Sequence, residues 1–311
     1  MRTCVIFNPA AKGDKARRLH AQLDAIATQA TLKKTAVAGD ARRLTAEAIA
    51  EGCDTVIAAG GDGTVNEVLN GIGDANAFDR VRLGVLPLGT VNVFALELGI
   101  PFKPAQAWDL IVRGRYTRID LGWVEFSEGG KPQRRYFMQL AGAGLDARAI
   151  ELVDWQHKKR VGPLAYVIAG WKALREPQPK ITVRSPAFRY SRDGDDAGQL
   201  NPERQATGEL VLVGNGKYYG GRMKIFPAAK MRGGLLDICV FPRVSKFSVL
   251  GNALYAALFR RLPEGGVQRL RAPEFSVSAE PGAGFELDGE WVGRLPVKFG
   301  VEREKLRIIV P

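Results

Sequence analysis

Residues 55–67 read Thr-Val-Ile-Ala-Ala-Gly-Gly-Asp-Gly-Thr-Val-Asn-Glu and join three patterns. The apolar run Thr55–Ala59 is typical of a buried strand. The stretch Gly60–Thr64 lets an anion approach the backbone, and Val65 and Val68 begin an apolar helical face. A strand, a glycine loop and a helix in this order predict an α/β unit with a phosphate-binding turn. Taken alone, the same residues also fit a tight turn with a capping aspartate.

Strand-like runs alternate with helical patterns through the first third of the chain. Thr3–Phe7 precedes one helical pattern, and Arg82–Leu86 precedes another. This alternation predicts a mostly parallel sheet covered by helices on both faces. Because ligands of such sheets bind at the carboxyl ends of strands, the candidate loops are Asn8–Gly13, Gly60–Thr64 and Pro87–Asn92.

The pattern changes near Thr117, where short β-type runs such as Arg118–Glu125 become frequent. These runs predict an antiparallel, β-rich second domain with a sandwich-like or open-barrel form. We therefore expect an α/β nucleotide-binding domain over residues 1–116 and a β-rich acceptor domain over residues 117–296. The last strand, 297–311, can return to the first domain.

Composition excludes several classes of protein. The 311 residues carry 45 Lys and Arg against 33 Asp and Glu, a net charge of +12, which favours an anionic partner. No apolar stretch reaches the roughly 17–25 residues of a membrane-spanning helix. Three separated cysteines and two histidines argue against a disulfide scaffold, a histidine metal site and a Ser-His-Asp hydrolase. The first residues lack the apolar region of a signal peptide, so we expect a cytoplasmic location.

Two further motifs lie in the β-rich part. Gly142–Ala147 fits the G-x-G-x-x-[GA] dinucleotide fingerprint, but it follows β-rich sequence, and we interpret it as a loop-to-helix turn. Asp288 and Glu290 flank Gly289 after an apolar run, where a carboxylate could serve as general base for phosphoryl transfer. A solvated hairpin turn is the other interpretation of that pair.

Together these motifs resemble the diacylglycerol kinase catalytic family, in particular its bacterial lipid kinases, which are grouped with sphingosine and ceramide kinases. The resemblance runs in order from residue 8 to about 290. The matching segments are Asn8-Pro9 with Gly13, Thr35 with Gly39–Ala41, Gly60–Glu67, Leu88–Asn92, Gly142–Ala147, Gly220-Gly221 with Pro227–Ala229, and Leu287–Glu290.

The resemblance implies ATP-dependent phosphorylation of a diacylglycerol-like or sphingoid and ceramide-like hydroxyl, with ATP and Mg²⁺ as cofactors. It implies that Asp62 belongs to the Mg²⁺–ATP network and that Asp288 or Glu290 is the general base. The residues that it implies around the nucleotide are Asn8, Pro9, Ala10, Ala11, Lys12, Thr35, Gly60, Gly61, Asp62, Gly63, Thr64, Val65, Asn66, Glu67, Gly89, Thr90 and Asn92.

The family also has a structural magnesium site formed largely by backbone carbonyls. Carried over, its ligands are Lys230, Gly233 and Leu235. The family usually has Asp-Gly in this loop, where this chain has Gly233-Gly234. A second departure is Val93, where many relatives have aspartate.

A lipid substrate implies contact with the inner face of a membrane, which the basic excess would favour. The candidate contacts are Trp155 with Lys158–Arg160, and Lys246–Arg261, although solvated faces of core helices also fit both patterns. A homodimer is possible, and no motif indicates a specific nucleic-acid partner.

Three other functions remain open. An NAD kinase has the same Gly-Gly-Asp-Gly loop, although Asn66-Glu67 and the Leu-Asp-Gly-Glu motif fit the lipid kinases better. A non-catalytic lipid- or nucleotide-binding regulator on a kinase scaffold would bind ATP or lipid without turnover. Nucleic-acid binding rests only on the net charge.

Overall fold

The computed structural model describes residues 2–9, 26–153, 164–190, 204–263, 265–280 and 282–311. The chain divides into two compact units, and the first contains Met1–Leu121 and Glu302–Pro311. The second unit contains Gly122–Val301.

The first unit alternates strands and helices along the chain. Its elements are β1 (Thr3–Phe7), β2 (Thr31–Lys34), α1 (Asp40–Ala50), β3 (Thr55–Gly60), α2 (Asp62–Asp74), β4 (Arg82–Pro87), α3 (Val93–Glu97), α4 (Pro104–Arg113) and the start of β5 (Tyr116–Glu128).

The second unit is rich in strands. Its elements are the remainder of β5, then β6 (Lys131–Phe137), β7 (Leu140–Gly144), α5 (Leu145–Glu151), α6 (Leu164–Ala173), β8 (Lys180–Arg184), β9 (Arg189–Tyr190), β10 (Gln205–Gly208), β11 (Leu210–Gly214), β12 (Tyr218–Tyr219), β13 (Met223–Lys224), β14 (Leu236–Phe241), α7 (Lys246–Phe259), β15 (Gln268–Ala272), β16 (Glu274–Glu280), β17 (Gly284–Leu287), β18 (Glu290–Arg294) and β19 (Val297–Ile309).

A parallel sheet forms the centre of the first unit. Its strands lie in the order β19–β4–β3–β1–β2, and each neighbouring pair is parallel. β3 is buried along its whole length, and β1 is buried except at its last residue. Burial on both faces explains why these strands are continuous apolar runs.

Antiparallel pairing dominates the second unit. One sheet has the order β18–β17–β7–β11–β14–β15–β9, and β10, β8, β16 and the start of β19 form another antiparallel series. Apolar residues from both sheets, including Val211, Ile238, Ile181 and Phe275, belong to one buried cluster. The predicted fold class, a parallel α/β domain and an antiparallel sandwich-like domain, is confirmed.

The unit boundaries lie five residues later than the predicted boundaries at 116/117 and 296/297. β5 and β19 are each 13 residues long and contribute residues to both units. Each boundary therefore lies inside a continuous strand, where no local break in the sequence pattern marks it.

Within the described residues, no helix is long and apolar enough to cross a membrane.

Candidate active site

The predicted nucleotide-binding loops of the first unit follow the carboxyl ends of four adjacent strands. Phe7 at the end of β1 is level with Lys34 of β2 and Ala59 of β3, and Gly60 is level with Pro87 of β4. Because the strands are parallel, the segments that follow them emerge at one edge of the sheet.

Gly61 and Gly89 bring two of these loops into backbone contact. A methyl group added at Gly89 would lie 2.5 Å from the Cα atom of Gly61. The carbonyl oxygen of Gly60 accepts hydrogen bonds from the N–H groups of Leu88 at 2.9 Å and Gly89 at 3.2 Å. Thr64 lies close to Gly60, where an added methyl group would collide with its side chain. The glycines are therefore required by packing, whatever ligand the loops bind.

Asp62, the first residue of α2, connects this turn to the next loop. Its Oδ2 accepts the N–H of Val93 at 3.0 Å, and its Oδ1 accepts the N–H of Phe94 at 3.2 Å. The carboxylate thus caps the first turn of α3. Burial raises the pKa of Asp62 above its ordinary value, while these backbone hydrogen bonds act in the opposite direction. A role for Asp62 in a Mg²⁺–ATP network stays a prediction.

Asn92 closes the loop after β4. It is buried and adopts a left-handed backbone conformation with φ 56°. Its Oδ1 accepts the N–H of Gly89 at 2.9 Å, and its Nδ2 donates to the Gly89 carbonyl at 2.7 Å. Asn92 therefore positions Gly89.

Glu67 acts on the neighbouring helix. Its Oε1 accepts the N–H of Gly39 and its Oε2 that of Ala41, both at 2.9 Å, at the start of α1. This carboxylate stabilises the helix N-terminus. Glu67 was expected at the nucleotide, and direct contact with a nucleotide stays a prediction.

The remaining predicted nucleotide residues occupy the same edge of the sheet or its adjoining helix. Thr35 is buried, and its N–H donates to the Phe7 carbonyl at 2.9 Å. The carbonyl of Asn66 accepts a hydrogen bond from the amide of Asn70 at 3.0 Å. Asn8 follows β1, Pro9 and Thr90 are exposed, and Gly63 and Val65 lie in the first turn of α2. Ala10, Ala11 and Lys12 lie outside the described residues.

In the second unit, Asp288 and Gly289 form the two-residue turn of the β17–β18 hairpin. Leu287 pairs with Glu290, and the two turn residues have φ angles of 47° and 88°. Positive φ at both positions is typical of the hairpin turn that favours Asp-Gly. The motif thus has a structural reason that is independent of catalysis.

The Asp288 carboxylate binds the connection between β6 and β7. Its Oδ2 accepts the N–H of Met138 at 2.8 Å, and its Oδ1 accepts those of Gln139 at 2.9 Å and Leu140 at 3.0 Å. These bonds use about three of its roughly four lone-pair directions. Glu290 is exposed at the start of β18. The two candidate bases therefore have different surroundings, and the base role of each stays a prediction.

A second pair of carboxylates lies behind this turn. Glu286 is fully buried, and its Oε2 accepts the N–H of Gly289 at 2.7 Å. A methyl group added at Gly142 would lie 2.5 Å from Oδ2 of Asp146 and 2.9 Å from Oε1 of Glu286, so this glycine makes room for both side chains. Tyr219 donates its hydroxyl to Oδ1 of Asp146 at 2.7 Å.

The pKa values of both carboxyls of this pair are raised. Burial, followed by the charge of Asp146, raises the pKa of Glu286 well above its ordinary value. Burial also raises the pKa of Asp146, while hydrogen bonds with Tyr219 and Glu286 lower it. Because both carboxyls are buried in the same region, ionisation of one disfavours ionisation of the other.

Sequence reasoning did not select Asp146, Glu286 or Tyr219 as site residues. It also interpreted Gly142–Gly144 as part of a loop, whereas these residues lie in β7 between β17 and β11. The available signal was the Glu286 carboxyl in an apolar strand, because a buried acid needs a partner.

The loop implied to hold a structural magnesium ion contains Lys230, Gly233 and Leu235. The N–H of Gly233 donates to the Lys230 carbonyl at 2.9 Å, and residues 227–235 include no acidic side chain. The buried guanidinium of Arg271 pairs with Asp237 at 3.2 Å and donates to the Ala228 carbonyl at 3.3 Å. The residues therefore do not fit a divalent cation, because the loop has no carboxylate and the buried guanidinium of Arg271 already donates to one of its carbonyls.

Comparison with known proteins gives the family. A protein-family model described as the diacylglycerol kinase catalytic domain matches residues 2–124. A second, described as the YegS C-terminal NAD kinase beta sandwich-like domain, matches residues 139–310. A Serratia proteamaculans protein named "Probable lipid kinase YegS-like" is 34% identical over 81% of this chain and 75% of its own length. The chain belongs to the diacylglycerol kinase and YegS-like lipid kinase family.

Other relatives of this lipid kinase family member extend the match over the whole chain. A Staphylococcus saprophyticus protein named "Diacylglycerol kinase" is 29% identical over 100% of this chain and 95% of its own length. A crystal structure titled as a diacylglycerol kinase from Bacillus anthracis has the same fold, with a TM-score of 0.70 at 24% identity over 100% of this chain and 97% of that one. The predicted resemblance is confirmed, as is the predicted enzyme class, a kinase with an alcohol group as acceptor.

Proposed function

We propose that this protein transfers the γ-phosphate of Mg²⁺–ATP to the hydroxyl group of a diacylglycerol-like or sphingoid lipid. The observation that carries the proposal is the edge of the parallel sheet, where the loops after β3 and β4 meet at Gly61 and Gly89. A glycine turn that leads into a 13-residue helix suits an anionic phosphate chain, because the helix N-terminus presents N–H groups and a positive dipole end.

The residues of the first unit would act mainly by holding these loops. Asp62 fixes the start of α3, and Asn92 fixes Gly89. Phosphoryl transfer depends on positioning and charge neutralisation more than on covalent assistance. A preformed loop pair therefore matches the chemistry, and Mg²⁺ would enter with ATP as part of the substrate.

In the reaction the lipid hydroxyl oxygen forms a bond to the γ-phosphorus while the bond from that phosphorus to the ADP oxygen breaks. The hydroxyl proton passes to a carboxylate. Glu290 is exposed, whereas Asp288 already accepts three backbone hydrogen bonds. This difference favours Glu290 as the base and Asp288 as the residue that holds the turn.

The test is transfer of labelled γ-phosphate from ATP with Mg²⁺ to diacylglycerol, ceramide, a sphingoid base and phosphatidylglycerol in mixed micelles. The Glu290→Gln protein and a sample without acceptor are the controls. We expect label in one lipid class with the unaltered protein only. Confirmed ATP binding with no label in any lipid would contradict the proposal and favour a non-catalytic regulator.

NAD phosphorylation is the second candidate, because the matched C-terminal model is described as NAD kinase-like. NAD is therefore included as an acceptor in the same assay. Label in NAD and in no lipid would replace the lipid kinase proposal.

A further inference from the structure

An exposed apolar surface surrounded by basic residues lies on two helices of the second unit, α6 and α7. Its large apolar members are Ile168 and Trp171 of α6 and Phe247, Leu258 and Phe259 of α7. Phe247 is 88% exposed, Leu258 69% and Phe259 59%. We call these five residues the α6–α7 face. Large exposed apolar groups that lie together mark an interaction surface rather than ordinary surface scatter.

The two helices adjoin at one point. The Nζ atom of Lys246, the first residue of α7, lies 5.9 Å from the ring centroid of Trp171. This distance is that of a cation–π contact. The aromatic ring of α6 and the first turn of α7 are therefore parts of one surface.

Phe247 and Leu258 share one side of α7, and Phe259 lies about 100° from Leu258 around the axis. Phe247 and Leu258 are separated by about three full turns, so they point within about 20° of each other around the axis. Gly251 lies on the same side, is exposed, and has open space where a side chain would be. Three positions on this side of α7, Phe247, Gly251 and Leu258, are therefore exposed.

The basic residues around the α6–α7 face indicate the chemistry of its partner. Residues 164–175 and 242–263 contain six basic residues and no acidic residue. All six are exposed, at both ends of α7 and at the C-terminal end of α6: Lys172, Arg175, Arg243, Lys246, Arg260 and Arg261. An apolar strip flanked by basic side chains matches a bilayer, which offers acyl chains below anionic headgroups.

We propose that the α6–α7 face docks the enzyme on a membrane surface that contains anionic lipid, with Phe247 and Leu258 entering the headgroup region. The inference deepens the proposed function, because the proposed acceptor is a lipid held in a bilayer. Each basic residue near an anionic surface contributes about 1 kcal/mol. The apolar contacts add attraction that salt does not screen.

The test is flotation of the full chain, without nucleotide, with vesicles of phosphatidylcholine alone and of phosphatidylcholine mixed with phosphatidylglycerol. We expect association with the mixed vesicles that weakens with added salt. Phe247→Ser combined with Leu258→Ser is expected to reduce association at least about tenfold. Both side chains are exposed, so the altered protein is expected to retain its Tm.

Matched controls lie on other elements of the chain. Val112→Ser removes an apolar side chain that is 54% exposed on α4, and Lys131→Glu reverses an exposed charge on β6. Lys246→Glu is expected to weaken association with the mixed vesicles, whereas both control variants are expected to bind as the unaltered protein does.

Equal binding by the double serine variant and the unaltered protein would overturn the proposal, as would the absence of binding to either vesicle. A dimer in sedimentation that the double variant abolishes, without vesicle binding, would show that a second copy covers the face. Vesicle binding without phosphorylation of any lipid would contradict the proposed reaction and leave the docking face standing. Phosphorylation of a lipid, together with unchanged vesicle binding by the double variant, would contradict the docking face and leave the proposed reaction standing.

Discussion

The carboxylate of Asp62 accepts the backbone N–H of Val93 at 3.0 Å, across 31 positions of the chain. One acidic side chain in the glycine turn therefore determines where α3 begins. Since Gly61 and Gly89 touch beside it, the two loops form one unit of structure. Changes in either loop are expected to affect both.

Asp62→Ala is expected to lower the free energy of unfolding by about 0.5–2 kcal/mol, as loss of a helix cap does, and to abolish kinase activity. The first effect follows from the lost bonds to Val93 and Phe94. Chemical denaturation and ATP titration would measure the two effects. Asp79→Ala, at an exposed position, is the control. Near-normal turnover in Asp62→Ala would contradict both the loop-fixing role and the magnesium role.

Gly89→Ala is expected to weaken ATP binding, because its new methyl group would lie 2.5 Å from the Gly61 Cα atom and force the loops apart. The loss of stability should be about 1–3 kcal/mol, typical of overpacking. Gly282→Ala is the control, since that position is exposed and has open space around it. ATP titration and thermal unfolding of both variants would check this, and identical behaviour of the two would show that the close approach is unimportant.

Asp288→Asn and Glu290→Gln are expected to have different effects on stability. The asparagine would turn an NH₂ group towards backbone N–H donors, so Asp288→Asn should lower the Tm as well as activity. Glu290 is exposed, so Glu290→Gln should change stability by no more than about 0.5 kcal/mol while lowering kcat and sparing ATP binding. Steady-state kinetics with thermal unfolding would separate the two roles. Equal, small losses of kcat would exclude both residues as the base.

Stability should fall as pH rises because of the Glu286–Asp146 pair. The native pair binds more protons than the unfolded chain, because the pKa values of both carboxyls are raised. The loss begins above the ordinary glutamate value of about 4.3 and is complete above the native pKa values. Glu286→Gln should reduce this slope, because the amide can still accept from Gly289 and donate to Asp146. Urea unfolding from about pH 5 to about pH 8 would measure this slope, and an unchanged slope in Glu286→Gln would contradict the raised pKa values of the pair.

Chelation of divalent cations is expected to leave the Tm unchanged when nucleotide is absent. The reason is that the Arg271 guanidinium already donates to a carbonyl of the loop implied to bind magnesium. Arg271→Leu should cost about 3–5 kcal/mol by removing the guanidinium that pairs with the buried Asp237 carboxylate, and added Mg²⁺ should not restore stability. The double variant, Arg271→Leu with Asp237→Leu, should lose less stability than Arg271→Leu alone. Thermal unfolding with EDTA or MgCl₂ would check this, and a rise in Tm with Mg²⁺ alone would show that the loop binds the ion.

The ordered motifs predicted the family, the two-domain fold and the edge of the sheet where the glycine loops meet. This was possible because strand, turn and helix signals are local, and the alternation from Thr55 to Glu67 and its repeat near Pro87 imply a parallel sheet. The same reasoning interpreted Gly142–Gly144 as a loop, since its glycines look like a turn when their neighbours in space are unknown.

By itself, then, the sequence determined the order of elements and the chemistry available at the strand ends. Only the tertiary structure decided what the acidic residues contact: Asp62 holds α3, Glu67 holds α1, Asp288 holds the β6–β7 connection, and Glu286 meets Asp146. These partners are backbone N–H groups or buried side chains far away in sequence. These contacts depend on which strands are neighbours and on how deeply each carboxylate is buried. Neither can be predicted from the local spacing of residues in the sequence.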